Sequence, residues 1–349
     1  MPESPAPRSV APYLAVGLST VIYGISERKQ IRHNLENIEE VIHAAVSMVN
    51  INMPVKIIAL AEGALTGFTD EIFDLPHVMA ARDLFIDIPG EETEHLGRLA
   101  KLYNTYIIGQ CKARWPEVMA DRYFNTLFVI GPNGKVLHKA AKNHVWCRER
   151  SCVPHDVYDR WVELYGDGIE AFYPVLKTDD IGNICCSDGE YPEAVRALTF
   201  NGAEVVYRPS EATPMTTAGY PGGGTWMIQN QGHAEFNSVY MLCPNAGPVY
   251  LVATSKHPVD IAGGSAHIVD YRGQVVSYSA STNNSVVAAT VDIEALRQFR
   301  AMSLNNNWLK DLRTELFARM YEKPIQPKNL WLKEEPKSHA DVDGIYRAN

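Results

Sequence analysis

The sequence predicts an α/β protein in which two β-sheets pack face to face and α-helices cover their outer faces. Strand-like and helix-like hydrophobic spacings alternate along the 349 residues. The alternation occurs in two successive blocks of similar rhythm, and each block ends in a hairpin. Because each sheet and each helix must bury an apolar face, two such blocks fit a four-layer α-β-β-α sandwich.

The first block starts with an apolar strand and ends with a hairpin that turns at "GPNG", a strong turn signal. Its long helix has apolar residues at three- and four-residue spacing. The predicted elements are a strand at 13–21, a helix at 34–50, a strand at 55–62, a helix at 91–104, a strand at 105–111 and the hairpin at 122–140.

The second block repeats this order. Its first helix starts at Pro192, which fits the first helical position, and stops at Gly202. A second hairpin turns at "YRG". The predicted elements are a strand at 182–186, a helix at 192–202, a strand at 203–209, a helix at 225–238, a strand at 239–245 and the hairpin at 263–279.

The composition excludes several classes of function. Hydrophobic residues make up 46% and charged residues 21% of the chain, as in ordinary globular proteins. The net charge is −9, so no nucleic-acid or anionic-membrane partner is expected. The N-terminus lacks the features of a signal peptide, and no apolar run is long enough to span a membrane. We therefore expect a cytoplasmic protein with reduced thiols.

Two of the six cysteines, Cys185 and Cys186, are neighbours. No cysteine forms a C-x-x-C pair, so neither a metal site nor another cofactor is predicted. Adjacent cysteines rarely form a disulfide because the geometry is strained. Cys186 ends an apolar strand just before a turn and a helix, where a side chain is exposed near backbone N–H groups. It is therefore either a reactive thiol or, like most such cysteines, a buried apolar side chain.

A thiol nucleophile needs a base, because a free cysteine has a pKa of about 8.5. None of the eleven histidines stands in a recognisable cysteine-protease context. Glu62 closes the apolar strand "VKIIALAE". A carboxylate in that position is either a solvated strand end or a functional group at the carboxyl end of the sheet.

Three stretches resemble the catalytic signatures of the nitrilase (carbon–nitrogen hydrolase) superfamily. They are "AEGALTG" at 61–67, "GKVLHKAAKNH" at 134–144 and "CSDGEYPEAVR" at 186–196, in the family's order. The matching residues are Glu62 with Gly67, Gly134 with Lys142, and Cys186 with Asp188, Pro192 and Glu193. The resemblance covers roughly residues 11 to 300, and "RYFNT" at 122–126 also looks like a family block.

The resemblance implies the α-β-β-α fold and a Glu–Lys–Cys triad. Glu62 would be the general base, Lys142 would stabilise the oxyanion and Cys186 would be the nucleophile. The backbone N–H of Ser187 would be a second oxyanion donor, and Tyr191 would contribute to binding. Glu149 would be a second acid/base or positioning residue, although an Arg148–Glu149–Arg150 surface charge cluster is the alternative.

The resemblance also implies hydrolysis of a small amide to an acid and ammonia through a cysteine thioester. "DGEYPE" looks most like the aliphatic amidase branch. Nitrile hydrolysis or hydration, N-carbamoyl cleavage, a catalytically silent scaffold and a thiol-redox role remain alternatives. Ala61, Gly63 and Ala140-Ala141 depart from the family pattern, which leaves the substrate open. Arg148, Arg150 and Arg208 are candidates for binding a substrate carboxylate.

The prediction divides the chain into a hydrolase domain at 1–310 and a C-terminal extension at 311–349. The extension is rich in proline and lysine from about residue 320 and is expected to lie outside the core. Family members usually form dimers or larger homo-oligomers, so the resemblance implies that this arm wraps a neighbouring subunit. The expected partners are a small amide or nitrile substrate and copies of the chain itself.

Overall fold

The computed structural model describes residues 9–51, 53–146, 149–186, 188–219, 222–302, 307–335, 338–341 and 344. The strands are β1 Tyr13–Ser19, β2 Ile22–Tyr23, β3 Val55–Ala59, β4 Ile86–Asp87, β5 Tyr106–Trp115, β6 Met119–Ile130, β7 Val136–Ala141, β8 Ile184–Cys186, β9 Val205–Tyr207, β10 Tyr240–Cys243, β11 Pro248–Tyr250, β12 Asp260–Ile261, β13 Ala266–Val269, β14 Val275–Ser279 and β15 Ser285–Val291. The helices are α1 Ile31–Val49, α2 Thr69–Ile72, α3 His77–Asp83, α4 Glu91–Tyr103, α5 Tyr158–Tyr165, α6 Ile169–Phe172, α7 Pro192–Phe200, α8 Pro214–Thr217, α9 Gly224–Asn237, α10 Ile293–Met302 and α11 Thr314–Ala318.

Two large sheets form the body of the molecule. The first has the strand order β15-β1-β3-β5-β6-β7, with β4 also paired to β5. The second has the order β14-β13-β10-β9-β8, so β8 lies at its edge. In both sheets the central strands are parallel and the hairpin strands are antiparallel. A small sheet, β12-β11-β2, lies apart from them.

The alternation of side chains along each strand creates the layers. In β3, Ile57 faces a core shared by both sheets, whereas Ile58 faces the core beneath α1 and α4. In β9, Val205 faces the shared core, whereas Val206 faces the core beneath α7 and α9. The period of two residues therefore gives each sheet one face against the other sheet and one against helices. The predicted α-β-β-α sandwich is confirmed.

The structure differs from the sequence prediction at both ends of the domain. Strand β15 pairs antiparallel with β1, from Tyr13 opposite Val291 to Ser19 opposite Ser285. This strand and helix α10 were not predicted, although they complete the first sheet. Trp331 and Leu332 of the extension pack against a cluster that contains Trp115. The prediction that the stretch from about residue 320 lies outside the core is wrong for these two residues.

Candidate active site

The segments that follow β3 and β7 meet at a cavity of about 830 Å³. Glu62 follows β3 by three residues, Lys142 follows β7 directly, and Glu149 lies seven residues beyond Lys142. All three line the cavity. The structure therefore brings together the predicted base, the predicted cation and the predicted second glutamate, which come from sequence positions up to 87 residues apart.

The carboxylate of Glu62 is held by donors on every side. Its Oε1 accepts hydrogen bonds from Lys142 Nζ at 3.1 Å and from Asn125 Nδ2 at 3.2 Å. The side-chain amide of Gln110 donates to the same oxygen. Oε2 accepts the backbone N–H of Glu211 at 3.2 Å. A carboxylate with this many donors and only 8% exposure is fixed in one orientation rather than solvated at a strand end.

Lys142 is the cation between the two glutamates. Its Nζ lies 3.1 Å from Glu62 Oε1 and 3.8 Å from Glu149 Oε2. Burial alone lowers the pKa of Lys142, but the carboxylates of Glu62 and Glu149 outweigh it and raise the pKa above its usual range. Lys142 therefore stays charged at neutral pH, as a group that stabilises an oxyanion must.

The two adjacent cysteines face opposite layers. Cys185 is fully buried in the core beneath α7, with Val195 and Leu198. Cys186, one residue further along β8, packs on the side of the core shared by the two sheets and is half-buried. Burial, followed by the charges of Cys185 and Asp188, raises the pKa of Cys186 well above its usual value. The thiol is therefore protonated at neutral pH and needs a base to become a nucleophile.

Tyr207 connects the Cys186 strand with the Glu62 loop across the shared core. It lies opposite Cys186 in the pairing of β8 with β9. Its hydroxyl donates to the carbonyl oxygen of Leu60, two residues before Glu62. Burial raises the pKa of Tyr207, and the charges of Cys186 and Glu62 raise it further. Tyr207 thus links the strand that carries the predicted nucleophile to the loop that carries the predicted base.

Asp188 ties the loop after Cys186 to the loop after Lys142. Its Oδ2 accepts the backbone N–H groups of Asn143 at 3.0 Å and His144 at 2.9 Å, and His144 Nδ1 lies 3.0 Å away. Asp188 is buried. The aspartate in the signature that follows Cys186 therefore fixes the position of Lys142 relative to β8 through three hydrogen bonds.

Of the two residues predicted to bind the substrate or its oxyanion, the structure describes Tyr191 but not Ser187. Tyr191 lines the cavity and stacks on His144, with ring centroids 3.8 Å apart. Its predicted contribution to binding stays a prediction, now with a location that permits it. Ser187, the predicted oxyanion donor, lies outside the described residues.

Backbone geometry explains why two of the signatures have glycine at positions 67 and 134. Gly67 has φ +61°, and a Cβ there would lie 2.7 Å from the Cα of Gly24. Gly134 has φ +78°, and a Cβ there would lie 2.9 Å from the carbonyl oxygen of Gly97 in α4. A side chain at either position would meet backbone in a conformation that glycine favours. These glycines therefore allow close approaches between backbone segments, and neither of them lines the cavity.

Sequence reasoning missed three residues that complete the site. Asn125 on β6 donates to Glu62 and, at 2.9 Å, to Glu149 Oε1, so one amide orients both carboxylates. Gln110 on β5 supports Glu62, and Glu211 both contacts Glu62 and lines the cavity. The stretch "RYFNT" contained Asn125, which was the available signal. Nothing in the local sequence marks Gln110 or Glu211.

None of the described helices is long and apolar enough to cross a membrane. In the same part of the chain, no group of three or more histidine, cysteine, aspartate or glutamate residues is arranged to hold a metal ion.

Comparison with known proteins gives consistent matches. The family model described as carbon–nitrogen hydrolase matches residues 19–301. An omega-amidase, NIT2 of Xenopus tropicalis, is 28% identical over 261 residues, which are 73% of this chain and 87% of that protein. A deaminated glutathione amidase of Synechocystis is 25% identical over 238 residues, or 67% and 77% of the two chains.

Solved structures show the same fold at lower identity. The carbon–nitrogen hydrolase of Helicobacter pylori superposes with a TM-score of 0.63 and 18% identity, covering 90% of this chain and all of that one. Nit3 of Saccharomyces cerevisiae, from branch 10 of the nitrilase superfamily, gives 0.61 and 19%, covering 84% and 96%. An amidase from Nesterenkonia gives 0.60 and 16%, covering 88% and 96%.

Proposed function

The chain belongs to the carbon–nitrogen hydrolase family, and we propose that it hydrolyses a small amide to a carboxylic acid and ammonia through a thioester on Cys186. The observation that carries the proposal is the Glu62–Lys142 pair, 3.1 Å apart in a cavity that Glu190 and Tyr191, four and five residues after Cys186, also line. The amidases among the relatives support the reaction type.

In the first half of the reaction, Glu62 takes the proton of the Cys186 thiol as sulfur attacks the amide carbon. The carbonyl oxygen becomes an oxyanion, which the charged Nζ of Lys142 stabilises. The C–N bond then breaks, and Glu62 returns the proton to the leaving nitrogen. Ammonia departs and the acyl group stays on sulfur as a thioester.

In the second half, Glu62 takes a proton from a water molecule that attacks the thioester. Lys142 stabilises the second oxyanion in the same way. The C–S bond breaks, the thiol regains its proton, and the carboxylic acid leaves. Asn125, which donates to both glutamates, keeps Glu62 pointed at the reacting atoms while it takes and returns protons.

A substrate panel tests the proposed reaction. We expect the purified protein to release ammonia from at least one short aliphatic amide, because the triad supplies the nucleophile, base and oxyanion cation that amide cleavage needs. The panel includes matched nitriles and N-carbamoyl compounds, and the product acid is identified by mass spectrometry. Heat-denatured protein is the control.

Three results of this panel would contradict the proposal. Turnover of only nitriles would identify the activity as nitrile hydrolysis or hydration, and turnover of only N-carbamoyl compounds would identify it as N-carbamoyl cleavage. A folded protein that turns over no compound would favour the catalytically silent scaffold.

We also propose a homo-oligomer in which the extension at 311–349 contacts a neighbouring subunit. The described part of the extension exposes large apolar side chains, namely Leu316, Phe317, Met320, Tyr321 and Ile325. It lies beside α7 and α9, since Tyr321 donates to Glu193 and the nearby Trp308 donates to Glu235 at 2.9 Å. Phe200 on α7 and Phe236 on α9 are exposed as well. Light scattering should report a dimer or larger assembly, and a monomer at micromolar concentration would contradict this.

A further inference from the structure

The lysine and the arginine on the described cavity wall already pair with protein groups. Lys142 pairs with Glu62 and Glu149. Arg208, only 2% exposed, donates from Nη1 to Asn230 at 2.6 Å. Its Nη2 donates to Gln229 at 2.9 Å and to Glu190 at 3.2 Å, and its guanidinium lies 4.6 Å from the Trp226 ring centre. Arg208 is therefore held by protein partners rather than presented to a substrate carboxylate.

The other two arginines expected to bind a carboxylate are not available at the cavity either. Arg150 Nη2 donates to the carbonyl oxygen of Leu75 and lies 3.2 Å from Asp74 Oδ1. It is buried, and it is not part of the cavity wall among the described residues. Arg148 lies outside the described residues. A substrate that carries a carboxylate would find no uncommitted arginine on the described wall.

Carboxylates on the described cavity wall outnumber Lys142 and Arg208. The acidic residues that line the cavity are Glu62, Glu71, Glu149, Glu190, Glu211 and Asp260. Glu71 pairs with Lys112, but Lys112 also binds both oxygens of Asp70, at 2.6 and 2.7 Å. Carboxyl groups on the described wall therefore outnumber Lys142 and Arg208, the lysine and arginine that line it, and burial raises the pKa of Glu71 to about 8.

Glu211 is the carboxylate in this set without a partner. Among the described residues, none forms a hydrogen bond or ion pair with its side chain, and Asp260 accepts only the N–H of Ile261. Burial raises the pKa of Glu211 to about 8, and the carboxylates of Asp260, Glu71 and Glu62 contribute. A nearby positive charge would reverse this shift by favouring the ionised form.

Glu211 also lies close to the reacting centre. Its backbone N–H donates to Glu62 Oε2 at 3.2 Å, while its side chain faces the cavity. A small molecule whose amide carbon approaches Glu62 would therefore have Glu211 beside it in the same cavity. The position suits a short substrate with an amide at one end and a second polar group at the other.

We propose that the substrate is an amide that carries a positively charged nitrogen, an ammonium or a guanidinium, which binds the side chain of Glu211 with Asp260 and Glu71 on the same wall. This inference rests on the proposed amide hydrolysis. It identifies the charge of the substrate's far end, which the triad alone does not determine.

Three amides of matched length test the proposal: 4-aminobutanamide, pentanamide and glutaramate, whose far ends are cationic, neutral and anionic. Binding to the Cys186→Ala variant is measured by calorimetry, so that turnover does not interfere. We expect 4-aminobutanamide to bind about 10-fold or more tighter than pentanamide, because a charge-assisted hydrogen bond replaces an apolar contact. Glutaramate should bind most weakly of the three.

A matched pair of variants locates the effect. In the Cys186→Ala background, Glu211→Gln should reduce the preference for 4-aminobutanamide over pentanamide to about 2-fold or less, because the charge is lost and the shape is kept. Glu36→Gln, on the exposed face of α1, should leave that preference unchanged. Loss of preference in both variants would contradict a role for Glu211.

The outcomes separate this inference from the proposed function. Equal or tighter binding of pentanamide or glutaramate, or no binding of 4-aminobutanamide, overturns the inference. If 4-aminobutanamide binds with the expected preference but the unmodified protein releases no ammonia from any of the three, the proposed function fails and the charge preference of the cavity stands.

Discussion

Replacement of Cys186 by alanine is expected to lower ammonia release by about 10⁴-fold or more, because no thioester forms without the sulfur. Replacement of Cys185 by alanine should leave most of the activity. The two side chains face opposite layers of the sandwich, and Cys185 lies in the core beneath α7. The measurement is the steady-state rate of ammonia release with the best amide of the panel.

The neighbouring cysteine is the control for this prediction. Cys185→Ala removes a fully buried sulfur, so it should lower the free energy of unfolding by about 1 kcal/mol without changing the site. Denaturant titration of both variants separates unfolding from loss of chemistry. Comparable activity in Cys186→Ala and the unmodified protein would remove Cys186 as the nucleophile. Equal loss in both variants would favour a thiol-redox role for the pair.

Loss of either partner in the Glu62–Lys142 pair should have the next largest effect. We expect Lys142→Ala to reduce kcat by about 10³-fold, since the oxyanion loses a charged donor at the moment it forms. Glu62→Gln keeps the shape but removes the base, and the raised pKa of Cys186 leaves its thiol protonated. The expected loss of kcat is again several orders of magnitude. Both are measured as kcat and KM on the same amide.

Lys139→Ala is the matched control for Lys142→Ala. Lys139 lies on the same strand, β7, but pairs with Glu117 at 2.7 Å and does not line the cavity. Its removal should change kcat less than about 3-fold. Alkylation of Cys186 by iodoacetamide gives a second readout for Glu62→Gln, because the thiol then lacks its base and should react more slowly. Unchanged alkylation together with unchanged kcat would contradict the role of Glu62.

Glu62, Lys142 and Cys186 could be predicted from the sequence because each stands at a fixed place within a short motif. Each ends or follows a strand that the hydrophobic spacing predicts. The same period of two residues, applied to β8, separates Cys185 from Cys186. The alternative that Glu62 is a solvated strand end is wrong, because several donors hold its buried carboxylate.

The remaining features depend on contacts between distant segments. Strand β15 pairs with β1 across more than 260 residues, and its short alternating run carries no signal of its partner. Asn125 and Glu211 reach Glu62 from 63 and 149 residues away. The excess of carboxylates on the cavity wall likewise arises only when these segments fold together. Hydrophobic patterns in a single sequence describe local spacing, so they do not predict contacts between distant segments.

Mass spectrometry of the acid-quenched enzyme tests the central proposal most directly. During turnover of a good amide substrate, a fraction of the protein should gain the mass of the acyl group, and peptide mapping should place it on Cys186. The adduct should be absent from Cys186→Ala and present in Cys185→Ala. An acyl group on any other residue, or turnover with no adduct at a quench time shorter than one catalytic cycle, would contradict the thioester on Cys186.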